Sequence, residues 1–444
     1  GYFMTISIEV PVFKGEFLQQ CIDSVFRQTS DAWQLSLVWD GGDALSHKIL
    51  KKIEATQHPK VKVFFNENQG IAKARAFISS QNNEAYLLPL DDDDELAPHA
   101  VERFIEAAKA TPWASLIRGK RGFINQQSEV VEKVQWFPFG PRNYFKGMVT
   151  DVFNQAQPYL IRKSAYDQTL GWRGFDDFMQ AGEDCDIFLQ VEETAHFELI
   201  DDVLYYYRIH DDRASNELTS AAAFEMWRRL ADDALQRMEL PLIRTNEAPP
   251  FTFIEKEPIN KTIADVEFIV AHKSPHVQQL KTIGIAEESI IEATSNADSW
   301  RMEGFKDSRK RLVCFVKDTV TINDIKAIID LLEILNETNA DLIAPSKKTL
   351  AEEYTKSSWL PDDFLLVKRE VLLATTGFDH EFIPENLQGI DFCIQARRRD
   401  FSCYEAAVSG ITYLEASENV LQESDFSSLK NKWYSHQSLL SFID

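Results

Sequence analysis

The hydrophobic and polar positions in the first half of the chain alternate between two kinds of segment. Short apolar runs predict strands, and apolar residues at helical spacing predict helices between them. The predicted strands are 5–12, 35–39, 61–65 and 86–90, and the predicted helices are 16–28, 70–80 and 98–110. Strands that alternate with helices of this length indicate βαβ units, and therefore an α/β fold with a mostly parallel sheet.

A longer helix is predicted over residues 220–240, and the stretch after it is rich in proline. Four prolines between 241 and 258 predict a linker over 241–262. A second α/β pattern then runs from residue 265 to about 413. We therefore expect a first domain over 1–240 and a second, smaller α/β domain over 263–444.

The second pattern resembles the first, segment by segment and in the same order. The aligned segments are 312–319 with 86–93, 364–369 with 159–164, 377–379 with 174–176, and 391–395 with 186–190. Chance similarity between amphipathic segments is the alternative explanation. Self-similarity in a fixed order indicates an internal repeat, so we predict that the second domain is a degenerate copy of the first.

Four consecutive aspartates, residues 91–94, follow the apolar strand predicted at 86–90. In open α/β sheets, ligands bind at the carboxyl ends of the strands. Carboxylates this close repel one another, and a divalent cation such as Mg²⁺ or Mn²⁺, shared with substrate phosphates, relieves the repulsion. A solvated acidic turn before a helix is the alternative. An EF-hand is excluded because Leu96 stands where that loop needs glycine.

Composition narrows the class of protein. The net charge of −23 argues against a general nucleic-acid binder and against electrostatic docking on anionic lipid. Five scattered cysteines without a CxxC pair suit a reducing compartment and argue against a zinc site or a disulfide framework. No segment has the apolar length of a membrane span, and no signal peptide is visible. We expect a cytoplasmic protein, with peripheral association at the inner face of the membrane left open.

The motifs of residues 5–215, taken in order, resemble those of glycosyltransferase family 2. They are VPVF at 10–13, SVFRQT at 24–29, DGG at 40–42, NQGIAKAR at 68–75, LDDDD at 90–94, GEDCD at 182–186 and YRIH at 207–210. The resemblance implies a GT-A fold, a Rossmann-like mixed sheet with flanking helices. It also implies transfer of a sugar from a nucleotide diphosphate sugar with inversion at the anomeric carbon.

The resemblance assigns a metal site to the acidic run. Asp91 and Asp93 match the DxD pair of the family, with Asp91 facing ribose and metal and Asp93 holding Mn²⁺ or Mg²⁺ against the diphosphate. Such a cation acts as Lewis acid and template. His210 matches a position that often contacts the metal or the diphosphate, and imidazole is a sound ligand. An ordinary strand-end histidine is the alternative.

The resemblance also implies a nucleotide site, with UDP as the expected nucleotide. Its residues would be Asp40, which would accept a hydrogen bond from the base, together with Arg75, Asp91, Asp92, Pro11 and Phe13. The family often has two acids at the position of Asp40, whereas here Trp39 precedes that aspartate. The identity of the base is therefore left open.

Glu183 and Asp184 resemble the family's ED motif, whose acid is the general base. Acids that merely cap a helix are the alternative. In the repeat alignment Gln388 and Gly389 face this pair, whereas an aspartate is retained two residues later in both copies. An acid kept in both copies is expected to be structural, so we predict that Asp184 is the base. Acceptor contacts are expected just upstream, at Trp172, Arg173 and Asp176.

The function predicted from the sequence is metal-dependent, inverting hexosyl transfer. The donor would be a nucleotide sugar, and the acceptor a hydroxyl of a glycan or of a lipid-linked or protein-linked glycoconjugate. Lys317 and Thr319 stand where the repeat places Asp91 and Asp93, so we expect a non-catalytic second domain. That domain could bind acceptor glycan, a partner glycosyltransferase or a second subunit. A bifunctional enzyme and a non-catalytic glycan-binding protein are the alternatives.

Overall fold

The computed structural model describes most of the chain. The described residues are 4–112, 114–135, 157–173, 182–193, 197–210, 220–237, 242–249, 251–256, 260–373, 375–381, 383–399, 401–414, 421, 423–433 and 439–440. They form two compact units. One contains the described residues from 4 to 234 together with 246–249 and 251, and the other contains 235–245 and those from 252 onwards, within the same described ranges.

The first unit alternates strands and helices. Its elements are β1 (Ile6–Val12), α1 (Leu18–Phe26), β2 (Trp33–Asp40), α2 (Ala44–Ala55), β3 (Val61–Asn66), α3 (Ile71–Ser80), β4 (Tyr86–Pro89), β5 (Glu95–Leu96), α4 (Ala100–Ala110), β6 (Leu116–Ile124), β7 (Val130–Gln135), β8 (Tyr159–Arg162), α5 (Lys163–Tyr166), α6 (Glu183–Glu192), β9 (Phe197–Arg208) and α7 (Ser220–Arg237). The predicted strands and helices of the first 110 residues are all present, with bounds shifted by one to two residues.

These strands form one mixed sheet in the order β3-β2-β1-β4-β8-β6-β9-β5, with β7 beside β6. The pairs β2–β3, β1–β2, β1–β4 and β6–β9 are parallel, and β8 runs antiparallel between β4 and β6. Every residue of β1 is buried, as expected for a central strand with helices on both faces. The structure confirms the predicted α/β class with a curled, mostly parallel sheet.

The second unit repeats this plan on a smaller scale. Its elements are β10 (Leu242–Arg244), β11 (Phe253–Glu255), β12 (Val266–Val270), α8 (His276–Thr282), β13 (Ile290–Glu292), α9 (Trp300–Asp307), β14 (Leu312–Val316), β15 (Val320–Ile322), α10 (Ile325–Thr338), β16 (Leu342–Pro345), β17 (Tyr354–Lys356), β18 (Phe364–Lys368), α11 (Arg369–Leu373), α12 (Glu385–Arg398), β19 (Cys403–Ala406), β20 (Ile411–Tyr413) and α13 (Ser427–Lys432). Single 3₁₀ turns lie at Ile263–Asp265, Glu287–Ser289 and Glu423–Phe426.

The sheet topology of the second unit supports an internal repeat. Its main sheet has the order β13-β12-β14-β18-β16-β19-β17, and the path from β13 to β19 matches β2-β1-β4-β8-β6-β9 strand for strand. The parallel and antiparallel pairings also agree. Alternate residues of β12 face two apolar layers, one on each side of the sheet. This unit therefore has its own buried core.

The strand pairing corrects the predicted alignment of the two copies in two places. Tyr86 pairs with Arg162, and Leu312 pairs with Lys368, so the aligned segment 364–369 is shifted by one residue. In addition, Gly377 corresponds to Gly171 and not to residue 174, because Gln395 donates to the carbonyl oxygen of Gly377 as Gln190 donates to that of Gly171. The tripeptide Gly-Phe-Asp occurs at both 174–176 and 377–379, and that coincidence produced the wrong alignment.

The proline-rich stretch predicted as a linker contains regular structure. The strands β10 and β11 pair antiparallel, with Ile243 opposite Ile254. The three residues of each strand are too few for independent stability, so this small ribbon is an adjunct of its unit. Among the helices that the structure describes, none has the length and apolar character needed to cross a membrane.

Candidate active site

The candidate site lies where the parallel strands of the first unit end. The loop after β1, the end of β2 and the acidic turn after β4 meet at the same edge of the sheet, because these three strands are parallel. Helix α3 supplies Arg75, helix α6 supplies Glu183 and Asp184, and His210 follows the end of β9. The pattern of apolar strands ending in polar residues therefore places the predicted motifs next to one another.

Within the acidic turn, Asp91 and Asp93 are the acids whose carboxylates contact side chains of other predicted site residues. Oxygens of Asp91, Asp93 and Asp94 lie within 4.8 Å of one another. The Nε2 atom of His210 is 2.7 Å from Oδ2 of Asp93. Clustered carboxylate oxygens with one imidazole form a donor set that suits Mn²⁺ or Mg²⁺, so these residues fit a divalent cation.

The other two acids of the turn hold its backbone in place. Oδ2 of Asp92 accepts hydrogen bonds from the backbone N–H groups of Phe13 (2.8 Å) and Lys14 (3.1 Å). Asp94 is buried and accepts from the Tyr205 hydroxyl at 2.6 Å. Burial, assisted by Asp93, raises the pKa of Asp92 to about 8. The carboxylate of Asp92 therefore binds the loop after β1, and its nucleotide contact stays a prediction.

Arg75, on α3, connects the two predicted acidic motifs. It is 2% exposed, and its Nη2 lies 2.7 Å from Oδ1 of Asp91. Its Nε lies 3.5 Å from Oε1 of Glu183. The sequence predicted that this arginine contacts the nucleotide. Its charge is compensated by two buried or half-buried acids, which suits a positioning role, and its nucleotide contact stays a prediction.

Glu183 and Asp184 begin helix α6, as the sequence predicted. The residue before them, Gly182, has φ +97°, and a Cβ there would lie 2.3 Å from Sδ of Met226. Only glycine suits this position, so the chain enters α6 at a fixed angle. Burial raises the pKa of Glu183 to about 8, and burial also raises the pKa of Asp184.

Three site residues were missed by the sequence analysis. The Tyr159 hydroxyl on β8 donates a hydrogen bond to Oδ1 of Asp184. Nε2 of Gln157 donates to Oδ2 of Asp91 at 3.2 Å, and Nε of Arg121 donates to the carbonyl oxygen of Gln157 at 3.0 Å. None of the three belongs to a recognisable motif. Only the antiparallel insertion of β8 between β4 and β6 brings them to the site.

The predicted nucleotide residues near β1 and β2 are largely buried. Asp40 is 1% exposed, and its two oxygens accept backbone N–H bonds from Gln69 and Gly70 at 2.9 to 3.1 Å. It therefore anchors the loop before α3 and offers little surface for the base contact predicted for it. Pro11 is buried within β1, while Phe13 is half-buried and packs beside α3.

Two of the predicted acceptor residues, Trp172 and Arg173, contact other side chains of the first unit. Trp172 is 6% exposed, and its Nε1 donates to Oγ of Ser79 at 3.0 Å, which leaves no face for stacking on an acceptor sugar. Arg173 forms ion pairs with Asp186 (2.6 Å) and Asp233 (2.7 Å). Both side chains are thus engaged within the protein, and their acceptor roles stay predictions. Asp176, the third, lies outside the described residues.

Part of this chain is similar to known glycosyltransferases. Residues 7–170 match the family model described as Glycosyl transferase family 2. A chondroitin synthase of Pasteurella multocida is 26% identical over 212 residues, which cover 47% of this chain and 21% of that protein. A chondroitin synthase of Escherichia coli is 22% identical over 56% of this chain and 36% of its own length. The chain thus spans well under half the length of these two relatives.

Two further proteins are similar. A protein of Bacillus subtilis named uncharacterized glycosyltransferase EpsJ is 26% identical, over 46% of this chain and 60% of its own length. Among solved structures, S. aureus TarS 1-349 in complex with UDP-GlcNAc gives a TM-score of 0.41 at 15% identity, covering 52% of this chain and 67% of that one.

Proposed function

Because residues 7–170 are a glycosyltransferase family 2 domain, we propose that the chain is an inverting glycosyltransferase. It transfers a sugar from a nucleotide diphosphate sugar, with UDP as the expected nucleotide, to a hydroxyl of a glycan or glycoconjugate. One observation carries the proposal. The buried Arg75 joins Asp91 of the acidic turn to Glu183 of α6, so that the metal-binding and base motifs form one network.

Asp184 is the base in this proposal. Inversion requires a carboxylate that takes the proton of the acceptor hydroxyl while its oxygen bonds to the anomeric carbon. The bond from that carbon to the diphosphate breaks, and the nucleoside diphosphate leaves with the electron pair. The raised pKa of Asp184 makes it a better proton acceptor once it is ionised, and the Tyr159 hydroxyl holds one of its oxygens in place. The second oxygen is then oriented toward the reacting hydroxyl.

Asp91, Asp93 and His210 would hold the divalent cation. A cation bound there supplies Lewis-acid chemistry, because it neutralises negative charge on the departing diphosphate. The turn that presents these residues is fixed by Asp92 and Asp94, whose carboxylates bind backbone groups and the Tyr205 hydroxyl. Such preorganisation lets the chain present its ligands without reordering the turn.

The decisive experiment measures nucleoside diphosphate released from a panel of nucleotide sugars, with Mn²⁺, Mg²⁺ or EDTA. We expect release with at least one donor, dependent on the cation. The Asp184→Asn variant should keep donor affinity and lose at least about a hundredfold in turnover, because the amide cannot accept the proton. Asp201→Asn, the same change on an exposed aspartate of β9, is the control. Near-normal turnover of Asp184→Asn would exclude it as the base.

The second unit is proposed to be non-catalytic. The proposal is supported by the strand pairing, in which Lys317 and Thr319 correspond to Asp91 and Asp93. It is also supported by the equivalent glutamine contacts, by which Gln388 and Gly389 correspond to the Glu–Asp pair. A lysine ammonium in that position repels a cation, and glycine cannot take a proton. We therefore expect no metal-dependent release of nucleotide from this unit. Release that persists in the Asp184→Asn variant when EDTA is present would instead favour a bifunctional enzyme whose second unit acts without the cation.

A further inference from the structure

The second unit keeps the framework of the first site while its charges are reversed. Arg301 on α9 occupies the position of Arg75 and contacts Oε1 of Gln388 at 3.3 Å, as Arg75 contacts Glu183. Its Nη2 forms an ion pair with Asp362 at 2.8 Å. A buried arginine beside the first turn of an equivalent helix is therefore common to both copies.

The place of the catalytic base is filled by another residue. A Cβ built on Gly389 would lie 2.5 Å from Cβ of Asp362, so that carboxylate occupies the space beside the helix. Asp362 also forms an ion pair with Lys317, whose Nζ lies 3.1 Å from Oδ1 of the aspartate. The remnant site has thus lost its base and its metal-binding acids, and it has gained an internal ion-pair cluster of Arg301, Lys317 and Asp362.

A cavity of about 320 Å³ opens directly beside this cluster. Among its lining residues are Lys317, Lys347, Lys348, Ser357, Trp359 and Asp363. This volume lies at the lower end of the range for ligand pockets, which suits a group of one or two sugar units. The cavity lies at the strand-end position that in the first unit carries the acidic turn.

The acids of the cavity wall are engaged by neighbours. Asp363 accepts a hydrogen bond from the Thr319 hydroxyl at 2.5 Å and pairs with Lys347 at 3.1 Å. Glu405 accepts from the hydroxyls of Ser346 and Ser357, at 2.6 and 2.9 Å. With Arg301 included, the cluster and wall hold one more cation than acid. In a chain of net charge −23, this local excess favours an anionic ligand.

Trp359 gives the cavity an aromatic face. Its side chain is 38% exposed, which is unusual for so large an apolar group, and its backbone oxygen accepts a bond from the Ser357 hydroxyl at 2.9 Å. Large aromatic rings with one accessible face provide contact area at low entropic cost. Together with the ammonium groups of the lysines in the cavity wall, an accessible indole is a combination that recognises a sugar ring bearing a carboxylate.

We propose that this cavity binds an acidic saccharide, without a metal ion and without transferring it. Trp359 stacks on the ring, and Lys348 and its neighbouring lysines bind the carboxylate. The cavity would thereby retain an acidic glycan chain on the protein. The inference does not depend on sugar transfer by the first unit, since it concerns different residues and equilibrium binding alone.

The test is isothermal titration of the full chain in EDTA with a galacturonate oligosaccharide, a glucuronate-containing oligosaccharide, maltotetraose as neutral control, and UDP. We expect at least one acidic oligosaccharide to bind, with maltotetraose at least about tenfold weaker. Equal affinity for maltotetraose, UDP binding that Trp359→Ala weakens as strongly as it weakens binding of the acidic probe, or no binding of either acidic probe would overturn the proposal.

Variants locate the binding site. Trp359→Ala and Lys348→Ala should each weaken binding by about fivefold or more, since each removes one proposed contact. Lys356→Ala, which removes an exposed lysine from β17 outside the cavity, should leave the affinity unchanged and so controls for net charge. Lys348 is exposed, so its replacement tests the site even if Trp359→Ala fails to fold. Equal effects of Lys348→Ala and Lys356→Ala would refute the assignment.

Discussion

At the scale of single residues, the buried Arg75 and Glu9 have the largest expected consequences for activity and stability. Arg75 lies between an acid after β4 and an acid on α6, which are 92 positions apart in the chain. A charge removed from water in this way needs both partners, because an unpaired buried charge is strongly destabilising. Its planar fork also fixes the separation of the two motifs, which a lysine cannot do.

We therefore expect Arg75→Lys to lower kcat by about tenfold or more, with a smaller change in KM for the donor. A lysine keeps the charge and loses the fork, so the protein should fold while the acids are misplaced. Steady-state kinetics with the best donor checks this, and Arg103→Lys on the exposed face of α4 is the control. A rise in KM at constant kcat would instead mean that Arg75 binds the donor directly.

Glu9, on β1, makes stability depend on pH. Burial raises its pKa from 4.5 to about 7, although its oxygens accept bonds from Ser7 (3.0 Å) and Ser79 (2.6 Å). The folded state therefore holds this proton more tightly than the unfolded state. Consequently, the contribution of Glu9 to stability is fully present below about pH 4.5, and it is lost as the pH rises to about 7.

Glu9→Gln should remove this loss of stability at rising pH. We expect the free energy of unfolding of this variant, relative to the wild type, to increase between pH 5 and pH 8 by on the order of 1–3 kcal/mol. The amide oxygen and amino group can still bond both serine hydroxyls. Urea unfolding of both proteins at the two pH values checks this, and Ser7→Ala is the control for the hydrogen bond. An unchanged difference would show that Glu9 is ionised at both pH values.

At the scale of elements, the entry into α6 is the sensitive point. Gly182 combines a left-handed φ with close contact to Met226, and the proposed base follows two residues later. The equivalent helix of the second unit, α12, begins after Pro384 without such a glycine. The first-unit helix is therefore positioned by a constraint that its copy does not share.

Gly182→Ala should destabilise the first unit by about 1–3 kcal/mol and reduce turnover, because both the backbone strain and the clash displace the start of α6. Gly284→Ala is a matched control. It also has a positive φ, +104°, but a Cβ there lies 3.9 Å from Ile325 and so meets no clash. Thermal unfolding and turnover of both variants are the measurements. Normal turnover in a destabilised Gly182→Ala variant would show that the helix start is not critical for catalysis.

At the scale of the whole molecule, the two units share a structural frame and differ in chemistry. In both, a glutamine on the helix donates to a glycine carbonyl and to an aspartate one turn earlier: Gln190 to Gly171 and Asp186, and Gln395 to Gly377 and Asp391. The distances agree within 0.2 Å, at 3.1 and 2.7 Å in the first unit and 3.0 and 2.9 Å in the second. These contacts fit the expectation that the acid kept in both copies is structural.

Asp391→Asn should accordingly destabilise the second unit by about 1.5–3 kcal/mol and leave sugar transfer by the folded protein nearly unchanged. Asp391 is buried and binds Lys432 at 2.9 Å and the Trp433 indole at 2.8 Å. Its neutralisation weakens both contacts and leaves Asp379, also at 2.9 Å, as the charged partner of the buried Lys432 ammonium. Calorimetry should show one transition shifted down, and the release assay at low temperature measures transfer. Loss of transfer in the folded variant would mean that the second unit takes part in catalysis.

The sequence alone determined most strands and helices of the first 110 residues, though not helix α2 (Ala44–Ala55). It also determined the acids at the strand ends, the family resemblance and the segments of an internal repeat. Each is encoded by residues close together in the chain, through apolar periodicity or a short motif. The tertiary structure decided which of those residues face the site. It placed Trp172 in the core, Arg75 between two acids, and Tyr159 on the proposed base.

The physical reason is that burial and charge pairing depend on residues distant in the sequence. The partner of Asp184 comes from β8, 25 residues away, and that of Asp93 from the end of β9, 117 residues away. Such partners meet only when an antiparallel strand is inserted into a mostly parallel sheet. No local sequence pattern predicts that insertion. Likewise, the repeat was visible in the sequence, but the register between its two copies was fixed only by backbone pairing between neighbouring strands of each sheet.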